Sequence, residues 1–226
     1  MKIHAFDQPC GFFHFELTDL HTAFHQHPTI ELIAAQSGTF NLNTSTRQLT
    51  NLTFAIIDKN VPHQVTAEQS ALTLCMYELP NTVLYQTLAA LNIQFTNGIF
   101  SNTQHIDYQN IITTFKNTTP TLADEPRVQI CLDFFQAAEV NYQTMLADLC
   151  QRVHLSESRL SHLFKADTGI SIKQYAVWNR LKKTILQMMQ QEIPLSAAAL
   201  QCGFYDAAHW NNAFKKYLGI SPASVY

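Results

Sequence analysis

Two similar stretches in the last third of the sequence constrain its fold more than any other feature. In the first, residues 146–169, apolar side chains recur at helical spacing up to Val153, and Ser156 then stands where a helix N-cap belongs. A second helical segment follows and ends at Gly169, because a residue just past a helix end often takes a positive φ. The pattern predicts two short helices joined by a tight turn. Such a unit is either a structural αα-hairpin or a helix-turn-helix that fits a DNA major groove.

Residues 195–219 repeat this pattern. Gly203-Phe204 forms the predicted turn, Asp206 is the expected N-cap, and Gly219 ends the second helix. A long helical stretch, residues 172–190, separates the two units. The duplication favours a pair of DNA-reading units, roughly one helical turn of DNA apart, over a structural hairpin. The aligned segments are Leu163-Phe164-Lys165 with Ala213-Phe214-Lys215, and Gly169-Ile170-Ser171 with Gly219-Ile220-Ser221.

The motifs in this region resemble a known family. Residues 124–226 are similar to the DNA-binding domain of the AraC/XylS family of bacterial transcription regulators, with Arg180-Leu181 where the linker helix of the family usually has Arg-Leu. The resemblance implies a sequence-specific regulator that binds double-stranded DNA, with RNA polymerase and a second subunit as further candidate partners. The motifs that carry it are Ala199–Phe204 (ALQCGF), His209-Trp210, Ala213–Lys216 (AFKK) and Gly219–Pro222 (GISP).

Helical geometry together with this resemblance indicates which side chains face DNA. Arg159 and His162 can donate to guanine acceptors, and asparagine suits bidentate pairing with adenine. The second unit departs from the family by having few long donors, with alanines in place of polar residues. Lys182, Lys183 and Lys216 are either phosphate anchors or ordinary solvated side chains, and Trp210 is expected in the core. The predicted DNA contacts are Glu157, Ser158, Arg159, Ser161, His162 and Lys165 in the first unit, and Ala207, Ala208, His209, Asn211, Asn212 and Lys215 in the second.

The front of the chain reads as β-rich up to about residue 78, and then as helical. We therefore expect an α+β protein of several domains. A cupin-like sensor and dimerisation domain, a β-barrel followed by helices, would span residues 1–118, and the all-α DNA-binding domain would span residues 124–226. The amphipathic segments within residues 81–117 either pair two subunits or pack within the monomer. The predicted strands are Phe12–Leu17, Ile30–Ala35, Thr39–Leu42, Leu52–Ile57 and Leu72–Tyr77.

A histidine motif lies at the start of this β-rich region. His25 and His27, placed on a strand, would share one face because side chains alternate with a period of two. Together with Glu31 and Gly38 they resemble the first cupin motif, and His63 follows downstream. Three imidazoles and a carboxylate suit zinc, iron, manganese or nickel. The second cupin motif is degraded, with Asp58 and Asn60 in the places of its proline and glycine, so the cluster is either a metal site or a metal-free ligand pocket. His14 is a further pocket residue in this hypothesis.

Charge and composition separate the two halves. Residues 1–140 hold five basic and twelve acidic residues, net −7, and residues 141–226 hold nine and five, net +4, which together give the overall −3. No apolar run is long enough to span a membrane, and the five cysteines are scattered, so we expect a cytoplasmic protein with reduced thiols and no membrane partner. The leading hypothesis is a non-enzymatic regulator controlled by a small molecule or metal. The alternative is a metal-dependent cupin enzyme fused to a DNA-binding domain.

Overall fold

The computed structural model describes residues 2–7, 11–79, 82–104, 107–117, 123–137, 140–191 and 193–222. The chain divides into two compact units, one made of Met1–Thr121 with Phe214–Tyr226 and the other of Leu122–Ala213. The centre of the predicted linker, residues 118–122, lies outside the described residues. The division into domains 1–118 and 124–226 therefore stays a prediction.

The first unit is built on one antiparallel sheet that curls into a nearly closed barrel, which confirms the predicted cupin-like β-barrel. The strand order is β1-β2-β7-β3-β6-β8, and β4 joins both β5 and β7. Because the long β7 pairs with β2 along most of its length, with β3 over its second half and with β4 over its first, it brings the two sides of the barrel together. The strands are β1 (Lys2–Asp7), β2 (Phe12–His21), β3 (Thr29–Ser37), β4 (Phe40–Thr44), β5 (Gln48–Leu52), β6 (Phe54–Ile57), β7 (His63–Glu78) and β8 (Ile99–Asn102).

Strand β3 is buried on both of its faces. Its residues Ile30 and Leu32 belong to an outer apolar layer that includes side chains of α1 (Thr82–Ala90) and α2 (Gln109–Asn117). Its residue Ile33 belongs to the barrel interior, which collects side chains from seven of the strands, β2 to β8. The helices thus cover the outer face of the sheet with side chains such as Leu84, Leu88 and Ile112, whereas Val83 of α1 is exposed.

The helices that follow form the predicted helix-turn-helix units. They are α3 (Pro126–Gln136), α4 (Met145–Val153), α5 (Glu157–Thr168), α6 (Ile172–Gln191), α7 (Leu195–Gln201) and α8 (Ala207–Leu218). The ring of Tyr175 on α6 lies 5.0 Å from that of Phe135 and 5.7 Å from that of Phe164, so α3, α5 and α6 share one aromatic core. Trp210 on α8 is fully buried, as predicted. None of the helices in the described ranges is long and apolar enough to cross a membrane.

Four pieces of the sheet were not predicted from the sequence: β1, β5, β8 and the first half of β7. Strand β8 has only four residues and follows the turn Asn97-Gly98, in which both residues have positive φ. The first half of β7 alternates polar residues such as Gln64 and Thr66 with buried ones, and it was too polar to stand out beside the apolar second half. Pairing with β4 and β2 stabilises this part of β7, and such long-range pairing is not visible in local composition.

Candidate functional site

The first helix-turn-helix unit has the local structure that its sequence predicts. Helix α4 ends at His154, whose backbone is left-handed with φ of 54°, and the Leu155 amide donates to the Cys150 carbonyl at 3.2 Å. The Ser156 side chain then accepts from the Arg159 amide at 3.4 Å and caps α5. Gly169 ends α5 with φ of 83°. The turn between Val153, the last residue of α4, and Glu157, the first of α5, therefore consists of three residues and fixes the start of α5.

Helix α5 has one buried and one exposed side. Leu160, Phe164 and Thr168 face the core of the second unit, at the four-residue spacing of one helix face. The opposite side carries the predicted DNA contacts, of which Ser161 is half-buried and the others are exposed, namely Glu157, Ser158, Arg159, His162 and Lys165. The most N-terminal of these are placed as base-reading residues are on a recognition helix. The individual base contacts stay predictions.

The turn of the second unit is held by Arg180 of α6. Its Nη1 donates to the Gly203 carbonyl at 2.8 Å, and its guanidinium lies over the rings of Tyr142 and Phe204, 4.6 Å and 5.4 Å from their centres. Gly203 has φ of +83°, and a Cβ atom there would lie 3.0 Å from the Tyr142 ring. The sequence analysis noted Arg180 only as part of a family motif. The structure assigns it a positioning role through this clamp.

Helix α8 presents a more modest polar surface. Its N-terminus is capped by Asp206, whose carboxylate accepts from the His209 amide at 2.6 Å. The ring of His209 lies edge-on to Phe204, with 5.2 Å between centres. Of the predicted contacts, Ala207 is half-buried and the others are exposed: Ala208, His209, Asn211, Asn212 and Lys215. They also stay predictions.

The structure corrects the interpretation of two lysines as phosphate anchors. Lys182 is 1% exposed, with its ammonium 5.7 Å from the centre of the Tyr175 ring. Lys183 is half-buried and donates to the Ala137 carbonyl, and burial lowers its pKa. Lys216, by contrast, is exposed. Two consecutive lysines in a sequence suggest a solvent-exposed surface, but most sides of α6 are buried or half-buried.

A second candidate site lies in the barrel. His25, His27, Glu31 and His63 each offer one ligand atom, and these atoms all lie within 4.8 Å of one another. Their exposed fractions are 7%, 2%, 4% and 0%. The Glu31 carboxylate oxygen Oε2 lies 3.1 Å from His63 Nε2 and 3.4 Å from His27 Nε2. The structure thus brings together the four residues that the sequence grouped.

The placement of the four residues differs from the expected strand geometry. His25 lies outside the named strands and forms an isolated bridge with His63, and His27 precedes the start of β3. Glu31 lies on β3, alternating with Ile33, and so it faces the barrel interior. The four side chains therefore converge because the loop that carries His25 crosses the start of β7. The backbone bridge holds this crossing, since the amides of His25 and His63 each donate to the carbonyl of the other residue at 2.9 Å.

The hydrogen bonds of the three histidines prepare the cluster for a cation. In each ring Nδ1 lies within hydrogen-bonding distance of a backbone carbonyl, and in His27 it also lies 2.6 Å from the Thr29 hydroxyl; a proton on Nδ1 leaves Nε2 as the ligand atom for a metal. For His27, Nε2 has no hydrogen-bond partner although it is buried. Nε2 of His63 lies 3.1 Å from the Glu31 carboxylate, so either a shared proton or a metal ion satisfies these atoms, and three imidazoles with a carboxylate form a donor set that suits a metal. The carbonyls are those of Ala23 at 2.9 Å, Thr29 at 3.2 Å and Val61 at 2.8 Å, for His25, His27 and His63 respectively.

The electrostatics of the cluster favour the ligand forms of His25 and Glu31. Burial, together with the neighbouring imidazoles of His63 and His27, lowers the pKa of His25 to about 3, so that its ring is neutral. Burial alone would raise the pKa of Glu31, but hydrogen bonding and charge from His27 and His63 outweigh it and hold that pKa well below its usual range. A neutral imidazole beside an ionised carboxylate is the combination that metal ions bind.

Two further predicted residues have different outcomes. Asn60, in the place of a glycine of the second cupin motif, keeps a left-handed backbone with φ of 59°, and its amide donates to the His27 carbonyl at 2.9 Å. The substitution thus preserves a turn that positions His27, because asparagine tolerates this conformation. His14 lies on β2 opposite Cys75, which belongs to the outer layer. The structure therefore does not bring His14 to the cluster, and its inclusion in this site was wrong.

Comparison with known proteins identifies the C-terminal helices. Residues 149–225 match the family described as a helix-turn-helix domain. The arabinose operon regulatory protein of Escherichia coli (strain K12) is 35% identical over 78 residues, which are 34% of this chain and 27% of that protein. The Msm operon regulatory protein of Streptococcus mutans is 26% identical over 140 residues, or 62% of this chain and 44% of that protein. The chain thus matches about a quarter to under half of these curated relatives' length.

The fold is shared more widely than the sequence. The structure of unsaturated fatty acid bound wild-type ToxT from Vibrio cholerae strain SCE256 is similar, with a TM-score of 0.54 and 11% sequence identity. The likeness covers 95% of this chain and 93% of that one. At this identity it shows that the two proteins have the same fold.

Proposed function

We propose that this chain, which belongs to the AraC/XylS family of bacterial transcription regulators through its C-terminal helix-turn-helix domain, binds specific DNA sequences and is controlled by a ligand of its barrel. The single observation that carries the proposal is the two-sided character of helix α5. Its apolar side is buried, and its capped N-terminal turn presents Arg159 to solvent. A short helix that is held at a fixed start and polar on its free side is suited to the major groove.

In this proposal the two units have different tasks. Arg159 and His162 on α5 supply the base reading through guanine contacts, and Lys165 binds phosphate. On α8, Asn211 and Asn212 pair with adenine, and Lys215 supplies a second phosphate contact. The second unit reads fewer bases because its first helical turn contains alanines.

The effector proposed for the barrel is a divalent metal. The residues fit it, because three histidines with Nδ1 held by carbonyls and one carboxylate form a compact set of nitrogen and oxygen ligands. Zinc, iron, manganese and nickel all accept such ligands. The fatty acid bound to ToxT makes an organic ligand of the barrel the competing proposal. A metal and an organic ligand can be distinguished experimentally, since only metal binding requires all four side chains.

The cluster is proposed as regulatory rather than catalytic. All four side chains are less than 8% exposed, so a substrate could not reach a bound metal without a rearrangement. We further propose that the protein works in the cytoplasm, with RNA polymerase as a partner, and that it acts as a homodimer. Val83 on α1 supports the last point, because it is 59% exposed whereas Leu84 and Leu88 of the same helix are buried.

Selection of duplexes from a random pool by the full chain tests the proposed function. We expect one enriched motif with two half-sites about one helical turn apart, and protection of that motif in footprinting. A matched selection with Arg159→Ala should lose the preference at one or two positions of one half-site. Recovery of a random pool by the unmodified protein would contradict sequence-specific binding.

A further inference from the structure

The segment that follows α8 packs against the histidine cluster within the first unit. Helix α8 ends at Leu218, and Gly219 then turns the chain with φ of +71° while its amide donates to the Lys215 carbonyl at 2.9 Å. The Gly219 carbonyl accepts from the Ala23 amide at 2.7 Å. Gly219 is itself buried. The contact is therefore a specific backbone link to the loop that carries His25.

Ala23 connects this link directly to the cluster. Its amide is bound by Gly219, and its carbonyl lies 2.9 Å from Nδ1 of His25. A ligand that moves the His25 ring changes the position of the Ala23 peptide groups on both sides. The Gly219 carbonyl is thus two hydrogen bonds away from a ring whose Nε2 is a proposed metal ligand.

There is no free space between the segment and the cluster. A Cβ atom on residue 219 would lie 2.5 Å from His25 Nδ1 and 2.8 Å from both the Ala23 oxygen and the Thr22 Cβ. The next residue, Ile220, packs against the apolar interior of the barrel. Gly219 and Ile220 together cover the part of the barrel where His25 lies, and only glycine fits at the first position.

We propose that Gly219 and Ile220 are the lid of the His/Glu site, so that metal binding and the seating of the C-terminal end of α8 are thermodynamically linked. This inference rests on the metal site proposed above. Linkage is reciprocal, so a metal that changes the affinity for DNA must have its own affinity changed by DNA by the same factor. Since α8 carries Asn211 and Asn212, the position of its C-terminal end affects the DNA contacts proposed for the second helix-turn-helix unit.

The test uses the full chain, Co²⁺ as a spectroscopic metal probe and the DNA site obtained by selection. We expect Co²⁺ to change the exchange rate of the Ala23 amide at least ~10-fold, and to change DNA affinity by about 5- to 150-fold, the usual range of coupling between sites. Saturating DNA should shift the Co²⁺ affinity by the same factor. Gly219→Ala should still bind Co²⁺ but reduce both couplings to less than about 2-fold, because the lid no longer seats.

Gly169→Ala is the matched control. Gly169 ends α5 with φ of 83°, and its amide donates to the Lys165 carbonyl at 2.9 Å, so the backbone strain of the substitution is the same. It lies in the other unit, and we expect it to keep the full metal effect on DNA affinity. Ile220→Ser, which introduces no backbone strain, is the second lid variant if Gly219→Ala does not fold, and it should also uncouple the two sites.

The results of these experiments distinguish a failure of the lid proposal from a failure of the metal-site proposal. If the unmodified chain binds no Co²⁺, the proposed metal site is wrong and the lid proposal falls with it. If Co²⁺ binds but leaves the Ala23 amide and the DNA affinity unchanged, the metal site stands and the lid is refuted. If a folded lid variant keeps the full coupling, the lid is refuted as well.

Discussion

Zinc binding should stabilise the barrel through its four-ligand cluster, and the size of the effect follows from mass action. At free Zn²⁺ of 100 times the dissociation constant, a site present only in the folded state adds about 2.7 kcal/mol to the free energy of unfolding. For a unit of this size, at about 4 °C per kcal/mol, the melting temperature should rise by roughly 11 °C. The donors that produce the effect are all buried and adjacent, so binding to the unfolded chain is much weaker.

Glu31→Gln tests which side chains are responsible. The substitution keeps the shape of the side chain but removes the anionic ligand that lies 3.1 Å from His63 Nε2. If zinc affinity falls about 100-fold, the same free Zn²⁺ only equals the dissociation constant, and the stabilisation drops to about 0.4 kcal/mol, or roughly 2 °C. His21→Ala is the control, because His21 is an exposed histidine outside the cluster and its loss should leave the zinc effect unchanged.

The assay is thermal unfolding followed by circular dichroism at several fixed concentrations of free zinc, with a chelator-treated sample as the reference. A shift that grows with the logarithm of free zinc, and that nearly disappears in Glu31→Gln, supports the metal site. The same shift in Glu31→Gln and in the unmodified chain would refute it, since the metal would then bind elsewhere. No shift in either protein would favour the metal-free pocket.

Four further substitutions test the DNA-binding helices. Arg159→Ala should lower the affinity for the selected site by about 5- to 150-fold in a fluorescence anisotropy titration, with little effect on random DNA. Lys165→Ala should instead weaken binding to all duplexes and reduce the slope of log affinity against log salt by about 1. Lys182→Ala should leave that slope unchanged and lower the unfolding free energy by about 1–3 kcal/mol, because it removes a buried alkyl chain and the contact of the ammonium with the Tyr175 ring. Ser156→Ala removes the cap of α5 and should cost about 1 kcal/mol in urea unfolding.

Local signals in the sequence were sufficient for the helix-turn-helix units. Ser156, Asp206 and Gly169 each act through bonds to residues within four positions, so their roles are visible without knowledge of the fold. The apolar spacing of Leu160 and Phe164 likewise identifies the buried side of α5. Where the determinant is local, the prediction and the structure agree.

Long-range packing decided the features that the sequence did not reveal. Lys182 is buried because α6 is packed on the side where this residue lies, which its charge does not indicate. Arg180 reaches Gly203 across 23 residues, and Ala23 binds Gly219 across nearly the whole chain. His14 was grouped with the cluster by residue type alone, whereas the alternation of β2 places it on the other face of the sheet.

Sequence-specific DNA binding is tested most directly by the ratio of two dissociation constants. Both are measured for the full chain at one salt concentration, one with the selected duplex and one with a scrambled duplex of equal length. We expect the selected duplex to bind at least ~10³-fold more tightly, which is the lower end of the ratio of specific to non-specific affinity for DNA-binding proteins. Equal binding to the two duplexes would contradict it, because the exposed side of α5 would then contribute charge but no reading of sequence.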